Sequence, residues 1–209
     1  MISKYEIVSL GDFVRPISLK NKIKEKIEVY SVTNSVGFKK STEYFNKEVF
    51  SKDLSNYKVV TRNQFAYNPS RINVGSIDYY RFDDKGLVSP LYIIFEVAEE
   101  IYPEYLLRFL KSDWGDYQIG SNTEGAVRPS LKFKGLKKIE VPLPSYTEQK
   151  KISYLLIQVE NLINERKKSL LTLDELLQSV FFDFFGDPVK NESLHSSRTI
   201  NSLLSRIDS

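Results

Sequence analysis

The sequence predicts an α+β protein: a mixed α/β domain with many short strands, followed by one long coiled-coil-like helix. Three observations point there. Short alternating or β-branched runs recur through residues 1–144, separated by Gly, Pro, Asn and Asp. Pro142 and Pro144 then close that region. Beyond them neither Pro nor Gly occurs before Gly186, and apolar residues recur at alternating steps of four and three. The expected segments are therefore a domain over 1–144, a helix within 145–186 and a linker-like tail over 187–209.

In the first segment, Ile27 to Val32 alternates, as do Lys58, Val59 and Val60. Leu91 to Val97 is β-branched and aromatic enough for a buried strand, with Pro90 fixing its start. Pro103 to Leu110 is predicted as the one helix here, with Pro in its first turn and apolar residues at three- and four-residue spacing. Asn68-Pro69-Ser70, Asp83-Asp84-Lys85-Gly86 and Gly120-Ser121-Asn122 are read as loops.

The long helix has a start and a stop. Ser145-Tyr146-Thr147-Glu148 has the capping-box pattern, and Gly186-Asp187-Pro188 supplies the terminator. From about residue 147 to 185 the helix would be about 55 Å long. Ile152, Leu156, Val159, Ile163, Arg166, Leu170, Leu173, Leu177 and Val180 form its seam, apolar at every position but Arg166. That seam is expected to pair with a partner, and Arg166 to snorkel outward in preference to pairing with Glu160 or Glu165. Residues 189–209 form either a short final helix, through Ile200, Leu203, Leu204 and Ile207, or a mobile end.

Composition excludes several function classes. The chain has no cysteine, which removes thiol nucleophiles, zinc-thiolate sites, iron–sulfur clusters and disulfide scaffolds. His195 is the single histidine, which argues against a Ser-His-Asp triad or a multi-histidine metal site. No run approaches the roughly 18 apolar residues of a membrane helix, so a cytoplasmic protein is expected. The net charge is only +3, but residues 1–146 hold 22 Lys and Arg against 18 Asp and Glu, whereas 147–209 hold 8 against 9. The excess concentrates in 120–138, where Arg128, Lys132, Lys134, Lys137 and Lys138 face Glu124 alone. Such a stretch is either a solvated loop or a phosphate-contacting one.

Motifs that would carry chemistry fail on inspection. Gly120 to Gly125 opens like a phosphate-binding loop, but Ala126-Val127 stands where Lys and Ser or Thr are required. Glu148-Gln149-Lys150 has nuclease spacing, yet it falls in a helical first turn. Asn68-Pro69-Ser70-Arg71 differs from the adenine-methyltransferase motif at its third and fourth positions, and no glycine-rich cofactor loop precedes it. Asp83-Asp84 is expected to be a turn, and Trp114 a core residue.

Together the landmarks resemble the DNA-specificity (S) subunit of type I restriction-modification systems, in a half-subunit form. The resemblance rests foremost on Ile139-Glu140-Val141-Pro142-Leu143-Pro144 with Glu148-Gln149-Lys150-Lys151-Ile152 and the leucine-rich helix. Ser9 to Val14, Phe65 to Gly75, Gly86 to Tyr92 and Gly125 to Leu131 add to it. It implies a non-catalytic target-recognition domain and one conserved spacer helix. It also implies binding to one half of a split site in double-stranded DNA, and docking of a methyltransferase (M) subunit and, through it, a restriction (R) subunit. S-adenosylmethionine would belong to the partner methyltransferase, with no cofactor or metal bound by this chain. Family members carry two such domains and two antiparallel helices, so two copies are expected to pair as a homodimer through residues 147–185. The expected DNA-binding residues are Asn68, Arg71, Asn73, Ser89, Tyr92, Asn122, Thr123, Arg128, Ser130, Lys132 and Lys134. A protein-interaction module, in which the helix works and the domain is a scaffold, is the alternative; against a third class, an enzyme such as a nuclease or methyltransferase fragment, stand the missing cofactor loop, the single histidine and the lack of an acidic metal cluster.

Overall fold

A computed structural model describes residues 4–44, 51, 53–125 and 128–186. The tail from Asp187 to Ser209, with His195, and the pair Ala126-Val127 lie outside the described residues. Among the described residues, strands and α-helices follow in the order β1 (Ile7–Ser9), β2 (Val14–Ile17), β3 (Tyr30–Thr33), β4 (Gly37–Lys40), α1 (Ser41–Tyr44), β5 (Lys58–Val60), β6 (Phe65–Tyr67), β7 (Ile77–Tyr79), β8 (Gly86–Val88), β9 (Ile93–Val97), α2 (Pro103–Leu110), α3 (Asp113–Ser121), α4 (Phe133–Leu136), β10 (Glu140–Pro142) and α5 (Tyr146–Phe185), with short 3-10 turns at Leu10–Asp12 and Ile72–Val74. The mixed α+β class with short strands and a long last helix is what the sequence patterning implied.

The central element is an antiparallel sheet in the order β2-β9-β6-β7. Its middle strands are apolar at consecutive positions because both faces are covered. Phe65, Tyr67, Ile77 and Phe95 enter one cluster with Leu106, Leu110, Ile119 and Leu136. Ala66, Ile94 and Tyr80 enter a second with Tyr30, Val32 and Val88. Strand pairs β3-β4, β5-β8 and β1-β10 flank this sheet. The last of these joins Val8 to Val141 across nearly the whole domain.

Two expectations are corrected. The first segment holds more than one helix: α3 continues through Gly120 and Ser121, where the sequence predicts a loop. Ser112 caps it, its Oγ accepting from the Gly115 amide at 3.2 Å. Gly115 has a reason to lack a side chain, because a Cβ there would collide with the Phe109 carbonyl and the Leu110 backbone. Trp114 is not core. It is 44% exposed, with its ring set edge-on to Phe109 at 5.6 Å, because the buried face of α3 belongs to Gly115, Gln118 and Ile119. Asp83-Asp84 does lie in a turn, where Asp84 Oδ1 accepts from the Tyr80 hydroxyl at 3.0 Å and Asp83 pairs with Arg62.

The described residues form two compact units, the first running to Leu155 and the second starting at Leu156. The first unit passes the proline boundary because the start of α5 belongs to its core. Ile152 packs on the first cluster, and Gln149 and Ser153 are buried. In the second unit α5 continues to Phe185, and the Gly186 amide then donates to the Phe182 carbonyl at 2.8 Å. Among the described residues no helix is long and apolar enough to cross a membrane.

Candidate nucleic-acid interface

One end of the central sheet carries a cluster of loops. Residues 68–76, joining β6 to β7, form its middle. Asn68 shapes the turn, its Oδ1 accepting from the Ser70 amide at 3.0 Å and its carbonyl from the Arg71 amide at 3.0 Å. The Arg71 carbonyl accepts from Val74 and Ser76, both at 3.1 Å. Gly75 closes the loop at φ +83° against Asn34, whose amide a Cβ would strike. This fold leaves Arg71, Asn73 and Val74 exposed.

Two further loops flank it. The β3-β4 turn, Thr33 to Gly37, is held by Val36 N donating to Thr33 Oγ1 at 3.2 Å. Ser76 Oγ donates to the Val32 carbonyl at 2.7 Å, and Lys111 Nζ to the Asn34 carbonyl at 3.3 Å. The loop before β9 arrives on the same strand, where the Tyr92 hydroxyl accepts from the Val32 amide at 3.3 Å. Burial pushes that hydroxyl's pKa up, while the Val32 amide, Ser76 and the Arg71 charge oppose the shift. Lys58 Nζ secures the same loop by donating to the Tyr92 carbonyl at 2.6 Å, and burial lowers its pKa.

On the other side, the Leu131 amide donates to the Pro69 carbonyl at 2.9 Å, and the Tyr67 hydroxyl to the Leu131 carbonyl at 3.1 Å. Glu124 and Ser130 exchange backbone hydrogen bonds of 3.0 and 2.9 Å, closing the neck of the 125–129 loop. Glu124 also pairs with Lys132 at 2.9 Å and Lys134 at 2.6 Å. Lys134 first, then Lys132, hold its carboxyl down at about 2. Arg128 is exposed in this loop.

The structure thus brings Asn68, Arg71, Asn73, Tyr92, Ser130 and Lys132 onto connected loops, with Arg128 beside them and Lys134 in the first turn of α4. Three expected residues have local partners of their own. Asn122 Nδ2 donates to Gln118 at 2.9 Å and Thr123 Oγ1 to Gly120 at 2.8 Å, so both cap the end of α3. Ser89 is half-buried in a turn, its carbonyl accepting from the Tyr92 amide at 3.0 Å. Sequence reasoning missed Asn34, Val36 and Lys111. The Asn34-Ser35-Val36-Gly37 turn signal was available, but only tertiary hydrogen bonds place it beside Arg71. These loops and the start of α4 carry Arg71, Arg128, Lys132 and Lys134 against the carboxylate of Glu124. The arrangement offers cations to phosphates and amides and hydroxyls to base edges. Among the described residues no group of acidic or imidazole side chains could hold a metal ion.

The root of α5 is built from a buried glutamine. Gln149 Oε1 accepts from the Tyr102 amide at 2.8 Å, while Nε2 donates to the Glu100 and Pro144 carbonyls at 2.8 and 2.9 Å. The capping box is present: the Ser145 amide and hydroxyl donate to Glu148 Oε2 at 3.2 and 2.8 Å. Of the seam, Ile152 is used by the domain's own core. Leu156, Val159, Ile163, Leu170, Leu173, Leu177 and Val180 are between 42% and 69% exposed, and Arg166 is exposed with them.

The family described as "Type I restriction modification DNA specificity domain" matches residues 2–173. The MjaVIII specificity subunit of Methanocaldococcus jannaschii is 26% identical over 195 residues, 87% of this chain and 42% of that protein. The MjaIX specificity subunit of the same organism is 33% identical over 94 residues, 44% of this chain and 22% of that protein. The chain therefore spans less than half the length of these relatives. Among solved structures, the HsdS subunit from Thermoanaerobacter tengcongensis superposes with a TM-score of 0.59 at 18% identity, covering 88% of this chain and 50% of that one. A chain from a structure describing complex assembly and conformational transition of the type I R-M system gives 0.56 at 14% identity, covering 86% and 44%. At those identities the likeness concerns the fold.

Proposed function

The chain belongs to the type I restriction-modification DNA specificity family, and from that premise we propose that it reads one half of a bipartite DNA site for an associated methyltransferase. Residues 1–144 are the reading domain and 145–186 the spacer helix. The chain makes and breaks no bond itself; methylation, with S-adenosylmethionine, and cleavage belong to the M and R subunits. The observation that carries this reading is the cationic loop cluster, whose Glu124 carboxylate already sits between two lysines. Phosphate contacts by Arg71, Arg128 and Lys111, and by Lys132 and Lys134 once a phosphate displaces Glu124 from them, give salt-dependent affinity, and Asn34, Asn68 and Asn73 supply paired donors and acceptors for base edges.

The exposed seam supports the second half of the reading. A stripe of seven aliphatic residues on one helix is a liability in water unless covered. Two copies pairing antiparallel through α5 cover it and set two identical domains at a fixed spacing, matched to inverted half-sites.

The test is fluorescence anisotropy of duplex DNA with this chain and its methyltransferase subunit across a salt series. The expected result is affinity that falls steeply with salt and drops on Arg128→Ala, uniformly for a phosphate contact or at one base pair for a guanine contact. Binding that ignores both salt and Arg128 contradicts the reading. Light scattering tests the pairing: the purified chain should be a dimer at micromolar concentration, and a monomer refutes it.

A further inference from the structure

Three aliphatic side chains stand at the tips of the loop cluster. Val36 is 59% exposed, Val74 55% and Leu91 75%. Each occupies a position where a turn ordinarily carries a small or polar residue: inside the β3-β4 turn, before the left-handed Gly75, and directly after Ser89-Pro90. Their side chains do not hold the loops, which are closed by backbone amides: Val36 N donates to Thr33 Oγ1, Val74 N to the Arg71 carbonyl and Tyr92 N to the Ser89 carbonyl. They also lie on neighbouring loops of the first unit. Gly75 lies against Asn34, which brings Val74 to the Val36 turn, and the Tyr92 hydroxyl on the Val32 amide brings Leu91 to the same hairpin. Each tip has a polar or cationic neighbour: Asn34, whose carbonyl accepts from Lys111 Nζ at 3.3 Å, shares the Val36 turn, Arg71 and Asn73 precede Val74 in its loop, and Lys58 Nζ donates to the carbonyl of Tyr92 beside Leu91 at 2.6 Å.

An apolar tip within a polar, cationic rim suits a surface that is itself mostly polar but bears isolated methyl groups. The major groove of DNA is such a surface, because thymine alone among the four bases presents a 5-methyl group there. Resting on the DNA-reading function of the preceding subsection, we propose that Val36, Val74 and Leu91 determine specificity by packing on thymine 5-methyl groups of an A·T-containing half-site. Because each tip is exposed, truncation to Ala leaves the fold intact and removes only that contact. Losing one methyl contact weakens binding about fourfold, the equivalent of one buried methylene.

The experiment uses the full chain with its methyltransferase subunit and the duplex it enriches from a randomised pool. Each thymine of that duplex is replaced singly by uracil, which keeps every hydrogen bond and deletes the methyl. At one or more positions uracil should bind about fourfold more weakly, and Val36→Ala, Val74→Ala or Leu91→Ala should erase that difference while leaving the uracil duplex unaffected. Equal affinity for thymine and uracil at every position overturns the proposal, as does a uracil penalty that survives all three variants. Alanine variants that lose the methyltransferase subunit instead would show a protein-docking surface and overturn it too. Failure to enrich any duplex overturns the DNA-reading function itself, and this inference with it.

Discussion

Replacing Gln149 by Leu tests the joint between the domain and α5. The side chain is fully buried and makes three hydrogen bonds, all to backbone groups: the Tyr102 amide, the Glu100 carbonyl and the Pro144 carbonyl. Leu fills a similar volume but leaves one amide and two carbonyls without this partner. A buried unsatisfied group costs about 1–3 kcal/mol, and apolar burial of the new side chain offsets part of the sum. A net loss of about 3 kcal/mol is expected, a large share of a stability that is roughly 5–15 kcal/mol. For a chain of this size that lowers the melting temperature by about 6–12 °C. Scanning calorimetry reads the shift, and far-UV circular dichroism should show helix content retained at 20 °C. A melting temperature within about 1 °C of the parent would refute the assignment of Gln149 as the buried tie.

Glu124→Gln should release Lys132 and Lys134, raise affinity for non-specific duplex and steepen its salt slope by about one; an unchanged slope on titration would show the pairs are inconsequential. Because the Glu124 carboxylate is held at about 2 against an ordinary 4.5, the pairs stabilise the loop above pH 4.5 and that contribution is lost as pH falls towards 2. An NMR titration of the side chain should therefore find it ionised at pH 3.5. Gly75→Ala places a Cβ at φ +83° against Asn34 and should destabilise the protein by about 1–3 kcal/mol in denaturant melts, whereas Gly120→Ala, with open space around it, should not. Leu170→Asp with Leu173→Asp should convert a dimer to monomer in light scattering without lowering the domain's own stability.

Legibility in the sequence follows the range of the interactions. Helix α2 lies where Pro103 and the apolar spacing put it, and α5 starts within one residue of expectation, because a capping box, an uninterrupted helical run and a terminal Gly are local signals. Helix α3 escaped because its inward face uses Gly115 and a buried Gln118, residues that look like a breaker and a surface position. The three-residue strands β1 and β10 are set by a partner more than a hundred residues away, which no local period encodes. The candidate interface follows the same rule. Arg71, Asn73 and the basic loop are visible in residue type and charge, while Asn34, Val36 and Lys111 join them only through Ser76, Val32 and the closed packing at Gly75.

Selection of duplexes from a randomised pool, by this chain assembled with its methyltransferase subunit at 0.1–0.2 M salt, bears most directly on the central assignment. Enrichment of two identical, inverted short motifs at one fixed separation is the expected outcome. A pool that stays random, or two unrelated half-sites, would contradict the picture of a paired, non-catalytic sequence reader.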